Sequence, residues 1–195
     1  MAGEAAAWLG IDLGTSGCRV IAADADGSVL ATATRPLRSD HPRPGWHEQD
    51  PRSWRQAIAG ACQDVVAALD GISVHSLALC ATSGTMLLVG ADGEAVTPAL
   101  MYDDARAAGS RRTTDIVAAW AQCAERNAYQ VQPTWALPKL GWLLDNVEAA
   151  ASSRVCLVAD YIAWWLTGDR VAVDTSHALK AGFDLVAQAW PVDAF

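Results

Sequence analysis

Two rhythms of apolar and polar positions run along this chain. Trp8-Leu9-Gly10-Ile11-Asp12-Leu13 reads as a short apolar strand ending near an acidic residue, and Gly14-Thr15-Ser16-Gly17 follows as a tight turn. Val20 to Ala23 is a second apolar run, Asp24-Ala25-Asp26-Gly27 a turn with Asp-Gly chemistry, and Val29 to Thr34 a third run. A three-stranded meander is expected. The period then lengthens. Trp54, Ile58, Ala61, Cys62, Val65 and Leu69 recur at helical spacing behind Asp50-Pro51, an N-cap followed by proline in the first helical position. This predicts a helix from about Pro51 to Asp70, stopped at Gly71. Short strands are expected at Ser76 to Cys80, Met86 to Val89, Ala99 to Tyr102 and Val155 to Val158. Helices are expected from Asp103 to about Glu125, from Pro138 to about Val147, and from a cap at Asp160 through Leu166 to Gly168. Arg35 to Pro51 is polar, Pro-rich and loop-like, and Val171 to Phe195 carries few signals. Strands mixed with helices in this order predict an α/β domain with a mixed sheet flanked by helices.

Composition narrows the function classes. Hydrophobic residues make up 52% of the 195, enough for a packed core and against disorder. The formal net charge is −8, and no cluster of Lys and Arg stands out, which argues against nucleic acid as partner. No long uncharged apolar segment suggests a membrane span, and the N-terminal segment lacks the basic region of a signal peptide. Cysteines at 18, 62, 80, 123 and 156 show no Cys-x-x-Cys spacing. They read as reduced core or near-core thiols of a cytoplasmic protein, with Cys18 partly exposed after the glycine turn. Histidines 41, 47, 75 and 177 show no metal-ligand spacing.

The first turn carries the chemistry. Glycines at 14 and 17 allow unusual backbone angles, and Thr15 and Ser16 place hydroxyls beside amide donors, a combination that suits a phosphate. Asp12 at the strand end suits Mg²⁺ held through water, since Mg²⁺ takes few carboxylates and keeps its waters. Neither a Walker A loop nor a dinucleotide fingerprint is present. The same residues also suit a plain hairpin turn.

Six stretches, in order, resemble the N-terminal domain of the FGGY carbohydrate kinases. They are Gly10 to Ser16; Gly45-Trp46-His47-Glu48-Gln49-Asp50-Pro51; Ala81-Thr82-Ser83-Gly84-Thr85; Tyr102-Asp103-Asp104-Ala105-Arg106; Pro138-Lys139-Leu140; and Asp160 to Gly168. The resemblance spans residues 1–195 as one domain and implies the ribonuclease H-like fold of actin and hexokinase. It implies ATP and Mg²⁺ as cofactors and a sugar as substrate. Asp12 would orient Mg²⁺, with Gly14, Thr15 and Ser16 facing the transferred phosphate. Thr82, Ser83, Gly84 and Thr85 would line the sugar pocket, and Asp104 would accept from a sugar hydroxyl. Trp46, His47 and Glu48 match a family stretch but read as a structural loop.

Thr82-Ser83-Gly84-Thr85-Met86-Leu87-Leu88 and Asp174 to Asp184 resemble the kinases of D-ribulose. Xylulokinases usually carry Gln-Met-His, and glycerol kinases Arg-Glu, in place of Thr82 to Gly84. D-xylulose is therefore the second reading, and a stand-alone sugar-binding domain the third. In the family the general base is an aspartate at the start of a second, nucleotide-binding domain. The resemblance places that domain beyond Phe195, so the isolated chain is expected to be inactive. An apolar face where that domain would dock is expected to favour self-association as a homodimer.

Overall fold

A computed structural model describes residues 6–172 and 174–190. The chain divides into two compact units. Among the described residues, one comprises 6–39 and 50–82, the other 40–49, 83–172 and 174–190.

In the first unit, β1 (Ala6–Leu13), β2 (Gly17–Ala23) and β3 (Val29–Pro36) form the expected antiparallel meander. β5 (Ser73–Ala81) adds to the other side of β1 in parallel, so the sheet is mixed, with order β3-β2-β1-β5. Alternation decides which face is covered. Ala7, Leu9, Ile11 and Leu13 of β1 and Cys18, Val20 and Ala22 of β2 are buried. Against these strands lies α1 (Pro51–Ala68), contributing Trp54, Ala57, Ile58, Ala61 and Val65. Full burial of an aliphatic side chain such as Ile11 or Ile58 stabilises by about 1.5–3 kcal/mol, so this one face supplies most of the unit's driving force. The α1 start is as expected. The Asp50 carboxylate accepts from Arg52 N at 2.9 Å, with Pro51 in the first helical position. The helix yields to Asp70 and Gly71, both at positive φ.

The second unit holds a separate antiparallel sheet of order β4-β7-β6-β8, built from β4 (Glu48–Gln49), β6 (Met86–Val89), β7 (Ala99–Leu100) and β8 (Arg154–Leu157). The mixed sheet expected from the pattern is therefore the first unit's alone, and part of the Pro-rich stretch is a strand. Around this sheet stand α2 (Arg111–Ala119), α3 (Ala121–Arg126), α4 (Ala136–Asn146), α5 (Val158–Thr167) and α6 (Thr175–Lys180). Met86, Leu88, Leu100, Leu143 and Leu157 meet in one core cluster, and Trp120, Cys123 and Leu137 in another.

Several boundaries differ from expectation for identifiable reasons. The helix expected from Asp103 begins only at Arg111, because Ser110 is its cap, accepting from Thr113 N at 3.1 Å. Asp160 is not the cap of α5. It sits in the first turn and accepts from Leu157 N at 3.2 Å. Cys18 is fully buried, and burial, then Cys62 and Asp12, push its thiol up to about 11; the exposed cysteine is Cys80. No helix among the described residues is long and apolar enough to cross a membrane.

Candidate functional site

The first group of candidate residues closes β1. Asp12 lies on the sheet face opposite α1, level with Arg19 of β2 and Cys80 of β5. Its carboxylate is exposed and, among the described residues, enters no hydrogen bond or ion pair. The turn after it is closed by Gly14 N donating to Gly17 O at 3.0 Å, and Leu37 N donates to Ser16 O at 3.0 Å. The glycines answer a need other than the expected one. Neither Gly14 nor Gly17 has positive φ. A Cβ on Gly17 would lie 2.8 Å from the Arg35 carbonyl oxygen of β3, so position 17 requires the absence of a side chain. Thr15 is half-buried and Ser16 exposed. Thr82 N donates to Leu13 O at 3.4 Å, which puts Thr82 at the same sheet end as the glycine turn.

Ser83, Gly84 and Thr85 belong to the second unit. Gly84 has φ +86, the left-handed region that favours glycine, and a Cβ there would stand 3.1 Å from Lys180 Cδ. Ser83 is half-buried, whereas Thr85 is 1% exposed, and its O accepts from Val158 N at 3.2 Å. Of these three residues, Ser83 is thus the one whose side chain reaches the surface.

Asp104 does not match its expected role. It is fully buried, and its carboxylate is saturated. Oδ2 accepts from His47 N at 2.7 Å and Arg106 Nη2 at 2.8 Å, and Oδ1 from Arg106 N at 3.0 Å and Arg106 Nε at 2.9 Å. A carboxylate has about four acceptor positions, so none is left for a sugar hydroxyl. Arg106 in turn bonds Glu48 Oε1 at 2.7 Å and stacks on Trp46, with Cζ 3.8 Å from the ring centroid and 5.0 Å from that of Trp142. The Trp46-His47-Glu48 stretch is a braced segment whose last residue enters β4, which gives it a structural part.

Two participants escaped sequence reasoning. Asp103, the half-exposed neighbour, bonds His47 Nδ1 at 2.6 Å, and both line a cavity of about 470 Å³ with His41, Arg43 and Trp46. Lys139 is buried completely, and its Nζ reaches main-chain carbonyls of the Ser83 turn and of the β7 end. Burial pushes its pKa down to about 7, with Asp104 and Asp103 acting in the opposite sense. The position of both residues inside matched stretches was the available signal. Asp174 caps α6, accepting from Ser176 N at 2.8 Å, and His177 is buried.

Residues 7–194 match the family described as the FGGY family of carbohydrate kinases, N-terminal domain. A glycerol kinase of Leptothrix cholodnii is 32% identical over 93% of this chain and 39% of its own length. A xylulose kinase of Escherichia coli is 28% identical over 94% of this chain and 38% of its own. The solved xylulose kinase of Rhodospirillum rubrum superposes with a TM-score of 0.83 at 25% identity, over 96% of this chain and 40% of that one. The chain thus spans about two fifths of the length of the curated relatives it matches.

Proposed function

Because the chain belongs to the FGGY family of carbohydrate kinases, as a match to their N-terminal domain, we propose that it supplies the sugar-binding half of an ATP-dependent ketopentose kinase. The observation that carries this reading is Asp12, an exposed, unengaged carboxylate at a strand end, followed at once by the Gly14 to Gly17 turn.

Those residues fit ATP and Mg²⁺ as partners. Among the described residues no cluster of three or more metal-ligating side chains forms. A single carboxylate nevertheless suits Mg²⁺ that arrives with nucleotide phosphates and keeps its waters. Asp12 would hold that ion, which when bound offsets the negative charge gathered on the transferred phosphoryl group. Thr15 and Ser16 would orient phosphate oxygens from the turn. Ser83 would hydrogen-bond the sugar, with Gly84 and Thr85 shaping the wall through backbone and bulk. Asp104 ties the turn that carries Asp103 to the stretch that carries His47, leaving Asp103 as the carboxylate at the surface. The catalytic base is not assigned to this chain.

D-ribulose is the proposed acceptor, since Thr82-Ser83-Gly84 departs from the xylulokinase and glycerol kinase patterns at the sugar-side turn. D-xylulose is the second reading, favoured by the similarity to the Escherichia coli xylulose kinase. The test is ADP release by the complete gene product with ATP and D-ribulose, D-xylulose or glycerol. The highest kcat/KM on D-ribulose is expected. A preference for D-xylulose selects the second reading, and no turnover on any of the three overturns the kinase proposal.

A further inference from the structure

Lys139 stands in the first turn of α4 with none of its side chain exposed. A buried ammonium is costly unless its donors are used, and among the described residues no carboxylate pairs with this one. Main-chain carbonyls take its place. Nζ donates to Gly84 O at 2.8 Å and to Met101 O at 2.6 Å, with Leu100 O at 3.5 Å as a weak third acceptor. Three donors thus face three carbonyls drawn from two stretches that lie apart in sequence.

One stretch carries Ser83, the proposed sugar contact, and the other leads into Asp103, the half-exposed carboxylate beside His47. Met101 O also accepts from Asp104 N at 3.0 Å, which closes the turn carrying Tyr102 and Asp103. Gly84 O belongs to the left-handed residue between Ser83 and Thr85. A trans peptide is planar, so fixing the Gly84 C=O fixes the direction of the Thr85 N–H, and fixing the Met101 C=O fixes that of Tyr102. Lys180 approaches the same turn from α6, 3.5 Å from Ser83 O.

We propose that Lys139 is a positioning residue for sugar recognition: by joining the Gly84 and Met101 carbonyls it holds the Ser83 turn and the Tyr102-Asp103 turn in one arrangement. This rests on the sugar-kinase reading above. The lysine touches no substrate, and its effect passes through the two turns.

The test uses the complete gene product carrying Lys139→Met, which keeps the apolar stem and removes the ammonium. Hydrogen exchange should show amides 83–86 and 101–104 losing protection together, with β1 and β2 unchanged. The sugar KM should rise about tenfold, the effect of losing one or two charge-assisted hydrogen bonds, while kcat changes much less. Lys139→Gln, which keeps two N–H donors, should fall between the two. Wild-type exchange in both turns, or loosening of only one, overturns the proposal. So does an unchanged KM in a folded variant. A wild-type protein that phosphorylates no sugar refutes the kinase reading instead, and the exchange result alone then decides whether Lys139 couples the turns.

Should neither variant fold, the wild type carries the test. The charged groups facing Lys139 are Asp104, Asp103, Arg106 and Lys180. As pH rises and Lys139 sheds its proton, followed by its ¹³Cε resonance, one donor is lost and the sugar KM should climb. A KM that stays flat through that titration overturns the proposal.

Discussion

At the scale of single residues, Asp12 and Lys139 are opposites: one charge stands in solvent and the other is shut away from it. Under the proposed function, Asp12→Asn in the complete gene product should lower kcat by about a hundredfold, on the order of 3 kcal/mol, by analogy with other electrostatic stabilisers. The sugar KM should stay near wild type, because the interaction is made mainly as the phosphoryl group moves. Ser83→Ala should chiefly raise the KM. Steady-state kinetics of the two variants on D-ribulose check the assignment, which the reverse pattern refutes. Lys139 carries a different expectation. Its pKa, held down to about 7 by burial, lies below the 10.5 of a free lysine. Between those values the unfolded chain binds a proton that the folded chain has shed, so lysine-dependent stability rises with pH. Urea unfolding of wild type and Lys139→Met at pH 6.5 and 9.5 should show the difference moving in favour of wild type at the higher pH. The place of Asp12, near a strand end and just before a glycine turn, was legible in the sequence because both features are local. Asp104 was given its sugar contact by the family resemblance, whereas its partners, His47 N and the Arg106 side chain, are set by the fold. Beyond its place in the matched Pro138-Lys139-Leu140 stretch, nothing in the sequence marks Lys139 as a lysine whose acceptors are main-chain carbonyls.

At the scale of elements, the readable ones carry their own punctuation. The Asp50-Pro51 start and Asp70-Gly71 stop bracket α1, and Gly168 ends α5 in the left-handed conformation. β4 has only two residues, and its pairing with Ala99 and Leu100 exists only in the folded chain, so nothing local announces it. The weakly patterned C-terminal segment hides a strict requirement. Gly182 has φ +102, and a Cβ there would lie 2.6 Å from Trp120 Cζ2 and 3.2 Å from Leu137 Cδ2. Trp120 is fully buried and has no room to retreat. Gly182→Ala should therefore destabilise by about 1–3 kcal/mol, the range for overpacking a filled core, read from the urea midpoint at unchanged m. Wild-type stability would show that the Trp120 pocket yields.

At the scale of the whole molecule, matching a family domain from residue 7 to 194 while spanning about two fifths of its relatives leads to a direct expectation. The purified 195-residue chain alone should not couple ATP turnover to D-ribulose. Turnover that Asp12→Ala abolishes would refute this. The mixed sheet of the first unit also has a history written into its order. β1, β2 and β3 follow one another through short turns, so their pairing closes small loops. β5 must instead bring Ala81 level with Leu13 across a long intervening chain, ten residues of which, 40–49, belong to the other unit. Closing that loop costs entropy before the strand returns any contact, so β5 is expected to join last. Leu79→Ala should then speed unfolding while leaving the refolding rate near wild type in a stopped-flow chevron, the behaviour of a position unstructured in the transition state. Until β5 arrives, the free edge of β1 stays open to pairing with another nascent chain, so the hazard to a good yield is the order in which the sheet is assembled rather than its final stability.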